Sequence, residues 1–296
     1  LNEIQFLPID NWFTEERMFR DGQMHVTYVL PSNVRGWYQE KRPEILRREP
    51  YAGIYFYRLN IGKNGVEALR DKRVRKALAF AIDRQELADF VTLGGEEPAH
   101  GFSFPMGEYV PPNIVKFDPD EARQLLADAG YPGGEGFPKL ELMINTSEQH
   151  RTIAEAIQAM WKKELDIEVG IDNQEWKVFQ QTTYEEKYQI ARAGWIGDYM
   201  DVTTFLDMMR TGDSNNNTGW GNPQYDQLLK EAAVEASTED RRKKLFEAEE
   251  ILLDELPVIP IYWYSRVYLI DPSLKNWNPL VLDKRDFKNV WLEPQD

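Results

Sequence analysis

Cysteine is absent from all 296 residues. That excludes a disulfide framework, a thiolate nucleophile and any Cys-ligated zinc site. Histidine is scarce, with three residues in the chain. The loop residue His100 has no partner at ligand spacing, so a metal site is not expected. No apolar run approaches the ~20 residues that a membrane-spanning helix needs. Bases are too few for a polyanionic partner. Thirty-five Lys and Arg stand against 50 Asp and Glu, a formal net charge of −15, which argues against nucleic acid and anionic membrane surfaces. Gly133-Gly134-Glu135-Gly136 is a turn and not a phosphate-cradling loop, because no Lys-Ser/Thr follows it. No Ser-His-Asp order, internal repeat or low-complexity tract is visible.

What is present is a globular composition, 42% hydrophobic and 29% charged, long enough for two domains. The most informative stretch is Ile190-Ala191-Arg192-Ala193-Gly194-Trp195-Ile196-Gly197-Asp198-Tyr199-Met200-Asp201. It begins as a short buried strand and ends in a Gly-Asp turn flanked by aromatics. A carboxylate just past a strand end, beside Trp195 and Tyr199, is placed to meet a cation in a partly dry pocket, where a charge-assisted hydrogen bond is strong. Taken alone, Asp198 reads equally as a loop acid capping the next turn.

Periodicity supplies the surrounding elements. Residues 1–7 alternate like a strand. A helix is expected over 14–21, with Thr14 as its cap and Gly22 just past its end, and a second short strand follows it. The polar run 47–50 breaks the pattern before an aromatic strand at 51–60. Residues 71–90 read as one helix with Val74, Ala77, Leu78, Ala81 and Ile82 on its apolar face. Arg73, Arg75, Lys76 and Arg84 lie off that face and are expected in solvent. A long irregular loop spans 93–112. Asp118-Pro119-Asp120-Glu121 is a helix start with cap, proline and N3 acid in place. Strand 140–144, a helix opened by Asn145-Thr146-Ser147 and strand 167–171 form a βαβ unit, which predicts a parallel pair. A helix over 177–186 would turn Phe179 and Tyr184 inward. Residues 201–209 form a helical turn and 213–222 a surface or lid loop. Two helices, a strand over 257–268 and a terminal strand over 287–292 complete the chain.

Asn173-Gln174-Glu175-Trp176, Ala191-Arg192-Ala193-Gly194-Trp195, Gly197-Asp198-Tyr199 and Phe205-Leu206 together resemble the oligopeptide-binding proteins of peptide ABC transporters, in the dipeptide/oligopeptide/nickel solute-binding family. Arg73-Val74-Arg75-Lys76-Ala77-Leu78-Ala79-Phe80-Ala81-Ile82-Asp83-Arg84 is similar to that family's most recognisable helix. The likeness runs over nearly the whole chain. It implies an α/β, two-lobed periplasmic-binding-protein-like fold of class II type, here lacking much of the N-terminal lobe. The chain reads as the C-terminal half or more of a longer protein. Residues 1–55 would be part of lobe I, 56–263 lobe II, the α/β ligand-binding lobe, and 264–296 a return segment completing lobe I.

The resemblance implies a function as well: an extracytoplasmic protein, periplasmic or membrane-anchored outside the cell, that captures short peptides by lobe closure. It would deliver them to ABC transporter permease subunits, with the N-terminal portion of the same protein as a further partner. No cofactor and no enzymatic activity are expected. Asp198 would bind the peptide's α-ammonium, with Gly194, Trp195, Ile196 and Tyr199 beside it. Arg192 would favour the carboxylate end. Trp176 would cover side chains. His150 is either a contact to that carboxylate or an exposed first-turn histidine, and Trp220 either touches ligand or packs the hinge. Where close oligopeptide binders carry Arg seven residues after the Trp, this chain has Thr183. A nickel chelate, a sugar or a murein peptide remains an alternative ligand, as does a sensing role. Asp198 argues against a sugar, which has no ammonium. A hydrolase using Asp198 and Asp201 as a carboxylate pair is a further class, which three residues of turn do not establish.

Overall fold

The computed structural model describes residues 1–278, 281–282, 284–285 and 287–294. At its centre lies a six-stranded mixed sheet. Its strands are β1 (Leu46–Leu59), β2 (Glu97–Pro98), β3 (Leu140–Asn145), β4 (Val169–Gln174), β5 (Ile190–Ile196) and β6 (Val258–Leu269), in the order β2-β6-β1-β5-β3-β4. β3 pairs in parallel with β4 and β5, while β1 runs antiparallel to both β5 and β6. A small ribbon, β7 (Leu274–Lys275) with β8 (Trp291–Leu292), stands apart.

The helices are α1 (Trp12–Arg20), α2 (Ser32–Lys41), α3 (Lys72–Phe80), α4 (Arg84–Glu86), α5 (Pro119–Asp128), α6 (Glu148–Leu165), α7 (Trp176–Tyr184), α8 (Thr203–Leu206), α9 (Pro223–Val234) and α10 (Thr238–Glu255). Local chemistry fixes many of their starts. The Asp118 side chain accepts from the Glu121 amide, Asn222 from Gln224 and Tyr225, and Ser237 from Asp240. Each satisfies an amide that the first turn leaves free.

The largest core gathers both faces of the sheet with α3, α5, α6, α9 and α10. A second, small core is built from Leu30, Tyr38 and Ile45 with Val267 and Leu269. The strands β1 and β6 are long enough, at 14 and 12 residues, to run from one core to the other. Their ladder shifts register between Pro50 and Ile54, where proline removes a donor.

The βαβ unit, the aromatic strand and the capped helices match the expectation. Several elements do not. Residues 1–11 form no strand, because alternation specifies a face but cannot supply the neighbouring strand that would take up its hydrogen bonds. The α1 cap is Asn11, which accepts from Phe13 and Thr14 amides, and not Thr14. α2 was unforeseen. Residues 47–50 lie inside β1 rather than before it. The helix expected over 71–90 is three pieces: α3 ends at Phe80, Asp83 caps α4, and residues Leu87–Thr92 continue as π-helix. Tyr184 is exposed, although Phe179 is buried. The tail strand is a 3₁₀ turn at Phe287–Asn289 followed by the short β8.

Two of the four cations assigned to solvent are buried, Arg75 and Arg84. Arg84 donates to the carbonyls of Ala79 and Ile82 at the end of α3 and to Pro260. Arg75 donates to the carbonyls of Leu69, Arg70 and Glu255, the last at the end of α10. Helix C-termini leave carbonyls unpaired and carry partial negative charge, so a guanidinium with five donors satisfies them without a carboxylate. The segment 213–222 is likewise not a lid. Asn216 and Thr218 are buried within it, and the Asn216 amide donates to the carbonyls of Met209, Arg210 and Trp220.

Candidate functional site

Strand alternation sorts the candidate residues onto two faces. In the β1–β5 register, Gly53 faces Ile196, Tyr55 faces Gly194 and Tyr57 faces Arg192. Across β6, Tyr55 sits opposite Tyr262, and Tyr264 follows two residues later. Arg192, Gly194 and Ile196 therefore share one face with four tyrosines. Trp195 points to the other, where its indole N–H donates to the Thr204 carbonyl at 2.7 Å and pins α8.

Arg192 is the centre of the tyrosine face. Its guanidinium donates to the Tyr264 hydroxyl at 3.0 Å and lies 4.9 Å from the Tyr55 ring centroid. The Asn145 side-chain oxygen is 3.5 Å away. The buried Nε of Arg192 has no partner among the described residues. No carboxylate pairs with this cation among the described residues. Tyr55 stacks on Tyr262 at 4.9 Å and meets Tyr264 edge-on at 6.3 Å. Burial pushes the Tyr55 and Tyr57 phenols well above their usual range, so both stay protonated.

His150, in the first turn of α6, brings Nδ1 to 3.5 Å from the Tyr55 hydroxyl. Burial, with the nearby Arg192 charge, lowers its pKa to about 3. The histidine is thus a neutral hydrogen-bonding group on this face and not an exposed surface residue. Gly194 is required sterically. A Cβ there would lie 2.6 Å from the Tyr264 hydroxyl.

Asp198 lies beyond the end of β5 and is exposed. Its amide donates to Thr204 Oγ1 at 2.9 Å, and its carbonyl accepts from Lys284 Nζ at 3.2 Å. Among the described residues, no ion pair holds its carboxylate. Asp201 differs. It is clasped by both terminal nitrogens of Arg241, at 2.8 and 2.9 Å, and by the Thr203 amide and hydroxyl. Burial alone would raise its pKa, but these donors outweigh burial and hold it below the usual carboxylate range. Asp201 is therefore a structural acid, tied to α10 through Arg241 and to the start of α8 through Thr203.

The remaining candidates are dispersed. Trp176 is half-exposed and stacks on Phe179 at 5.9 Å, and Tyr199 is exposed beside Thr203. Trp220 is buried. It packs edge-on to Tyr225 and donates its indole N–H to Glu255, which removes it from any ligand surface. Thr183 is buried with its hydroxyl unpaired among the described residues. Sequence reading took the aromatics as core, which holds for the buried Tyr55 and Tyr262, but it did not foresee that Tyr55, Tyr262, Tyr264 and Asn145 gather around Arg192. The signal was the alternation of tyrosines in Tyr55-Phe56-Tyr57 and Tyr262-Trp263-Tyr264, which sends successive hydroxyls to one face.

Comparison with known proteins decides the family. The model of bacterial extracellular solute-binding proteins, family 5, middle region, matches residues 1–217. The chain belongs to this solute-binding family. Family members with clear similarity include the oligopeptide-binding protein OppA of Bacillus subtilis (strain 168), 34% identical over 293 residues, covering 93% of this chain and 52% of that protein. The periplasmic murein peptide-binding protein MppA of Escherichia coli (strain K12) is 34% identical over 284 residues, covering 94% and 52%. The crystal structure of Haemophilus influenzae OppA in complex with RPPGFSPFR superposes with a TM-score of 0.83 at 30% identity, covering 98% of this chain and 58% of that one. The solute-binding chain described here thus spans about half the length of the curated relatives it matches, and its mixed α/β fold is that of the peptide-binding members. The family is a substrate-binding one.

Proposed function

We propose that this chain is the ligand-binding part of an extracytoplasmic protein that captures short peptides and presents them to an ABC transporter permease. The observation that carries the reading is a separation of charge along one strand and its extension. Among the described residues, Asp198, past one end of β5, is a carboxylate without an ion-pair partner, and Arg192, inside the strand, is a cation without a carboxylate. Six residues of extended chain span on the order of 20 Å. A zwitterionic, extended peptide offers charges in that complementary arrangement, ammonium toward Asp198 and carboxylate toward Arg192. Tyr55, Tyr264 and the neutral His150 supply uncharged hydrogen-bonding groups beside the carboxylate end. Trp176 and Tyr199 are available for side-chain contact.

The small core of Leu30, Tyr38, Ile45, Val267 and Leu269 supports assigning residues 1–55 and 264–296 to one lobe and 56–263 to the other. Closure of the two lobes on the peptide is the expected motion. The relatives are named as oligopeptide-binding and periplasmic murein peptide-binding proteins, which supports the same compartment and cargo class here. A murein peptide, as for MppA, falls within the same charge pattern.

Asp198→Asn tests the reading. It keeps the shape of the side chain and removes its charge, so peptide affinity measured by calorimetry should fall by about 1.5–3 kcal/mol, the scale of a hydrogen bond to a charged group. N-acetylated peptides should bind the wild type more weakly by a similar amount. Equal affinities for wild type and variant would remove Asp198 from the site.

A further inference from the structure

Among the described residues, a cation approaches Asp198 from a segment more than eighty residues further along the chain. The segment around Val281 crosses the end of β5 at the point where Asp198 emerges. Ala52 joins the two. Its carbonyl accepts from the Gly197 amide at 2.7 Å, and its own amide donates to the Val281 carbonyl at 2.8 Å. Leu282 closes on the same turn, 3.5 Å from where a Cβ on Gly197 would stand. Two residues further, Lys284 places Nζ 3.2 Å from the Asp198 backbone carbonyl. Both residues are exposed. The lysine makes no ion pair with the carboxylate. It donates to the backbone of the same residue and so places a positive charge beside it.

We propose that Lys284 is a specificity-determining residue that attenuates recognition of a free ammonium group. The inference rests on the assignment of Asp198 as the ammonium site. A ligand ammonium approaching Asp198 enters the field of the Lys284 charge, which sits 3.2 Å from the backbone carbonyl of that residue, and nearby like charges oppose one another even in a solvent-exposed setting. An N-blocked ligand carries no charge there and does not feel the repulsion. The lysine therefore narrows the affinity gap between peptides with free and blocked amino ends. Its anchoring through Val281 and Ala52, rather than through the carboxylate, keeps the charge in place whether or not the carboxylate is engaged.

The test compares one short peptide with its N-acetylated form by calorimetry, against wild type, Lys284→Gln, Asp198→Asn and a remote charge control, Lys275→Gln. Lys275 pairs with Glu293 and changes net charge by the same amount. Lys284→Gln removes the charge and keeps an N–H donor on a side chain one bond shorter. It should bind the free-amine peptide about two- to fivefold more tightly, the scale of an exposed charge contact, with the acetylated form and the Lys275→Gln variant unchanged. An unchanged ratio of free to acetylated affinity in Lys284→Gln, with Asp198→Asn still lowering the free-amine affinity, overturns the role of Lys284 and leaves that of Asp198 standing. If Asp198→Asn itself leaves the ratio unchanged, the ammonium site is wrong and both assignments fall.

Discussion

Replacing Gly194 by alanine tests the architecture of the tyrosine face at its tightest point. The added Cβ would sit 2.6 Å from the Tyr264 hydroxyl and 3.3 Å from an Arg192 terminal nitrogen. Ordinary contact begins near 3.4 Å, so the hydroxyl has to retreat by about 0.8 Å. The Tyr264 ring cannot rotate away freely, because it packs edge-on against Tyr262 at 5.6 Å and Tyr55 at 6.3 Å. Moving the hydroxyl also stretches its 3.0 Å bond to Arg192. Overpacking of this kind costs about 1–3 kcal/mol, and urea unfolding followed by tryptophan fluorescence measures it. The decisive comparison is a double-mutant cycle with Tyr264→Phe, which removes the clashing oxygen. The alanine should cost distinctly less in the phenylalanine background, with a coupling of about 1 kcal/mol or more. An alanine variant as stable as wild type, or equal costs in both backgrounds, would refute the steric argument.

Glu249 offers a second test. It is fully buried and accepts from the amides of Phe102 and Ser103 and the hydroxyls of Ser103 and Tyr109. Glu249→Leu strands all four donors and should lose more than ~3 kcal/mol of stability, whereas Glu249→Gln keeps an oxygen for the amides and should lose about 1 kcal/mol; equal losses in chemical denaturation would contradict the account. His150 predicts a pH dependence. Its folded pKa of about 3 lies below the ordinary 6.5, so below 6.5 the unfolded chain takes up a proton that the folded chain refuses, and stability falls as pH drops through that window. His150→Gln should flatten the fall between neutrality and about pH 5, and an unchanged slope of unfolding midpoint against pH would show that the histidine is charged in the folded protein.

What the sequence revealed and what it concealed divide along a physical line. The βαβ unit, the strand leading to Asp198 and the start of α5 rest on periodicity and on side chains that bond to amides two or three residues away, and such signals are written locally. Arg75 and Arg84 look like solvent-facing cations on any helical projection. Their burial depends on carbonyls of Glu255 and Pro260, well over a hundred residues off, and no local pattern encodes that. Trp220 was ambiguous for the same reason, since Glu255 is its hydrogen-bond partner. In the candidate site, Asp198 stood out as an acid just past a strand pattern, whereas Arg192 and Gly194 were singled out through the family resemblance. The tyrosine face was not, because it arises only when β1, β5 and β6 are brought into register and their hydroxyls converge.

The small core has an implication for synthesis. Leu30, Tyr38 and Ile45 are made long before the strand that covers them, which carries Val267 and Leu269. The Leu269 amide bonds to Thr27 across 242 residues. At about 5–20 residues per second, these apolar residues wait on the order of 10–50 s for their partner. These residues therefore stay uncovered until the returning strand is made, and any factor that shields nascent apolar chain has a long task at this small core.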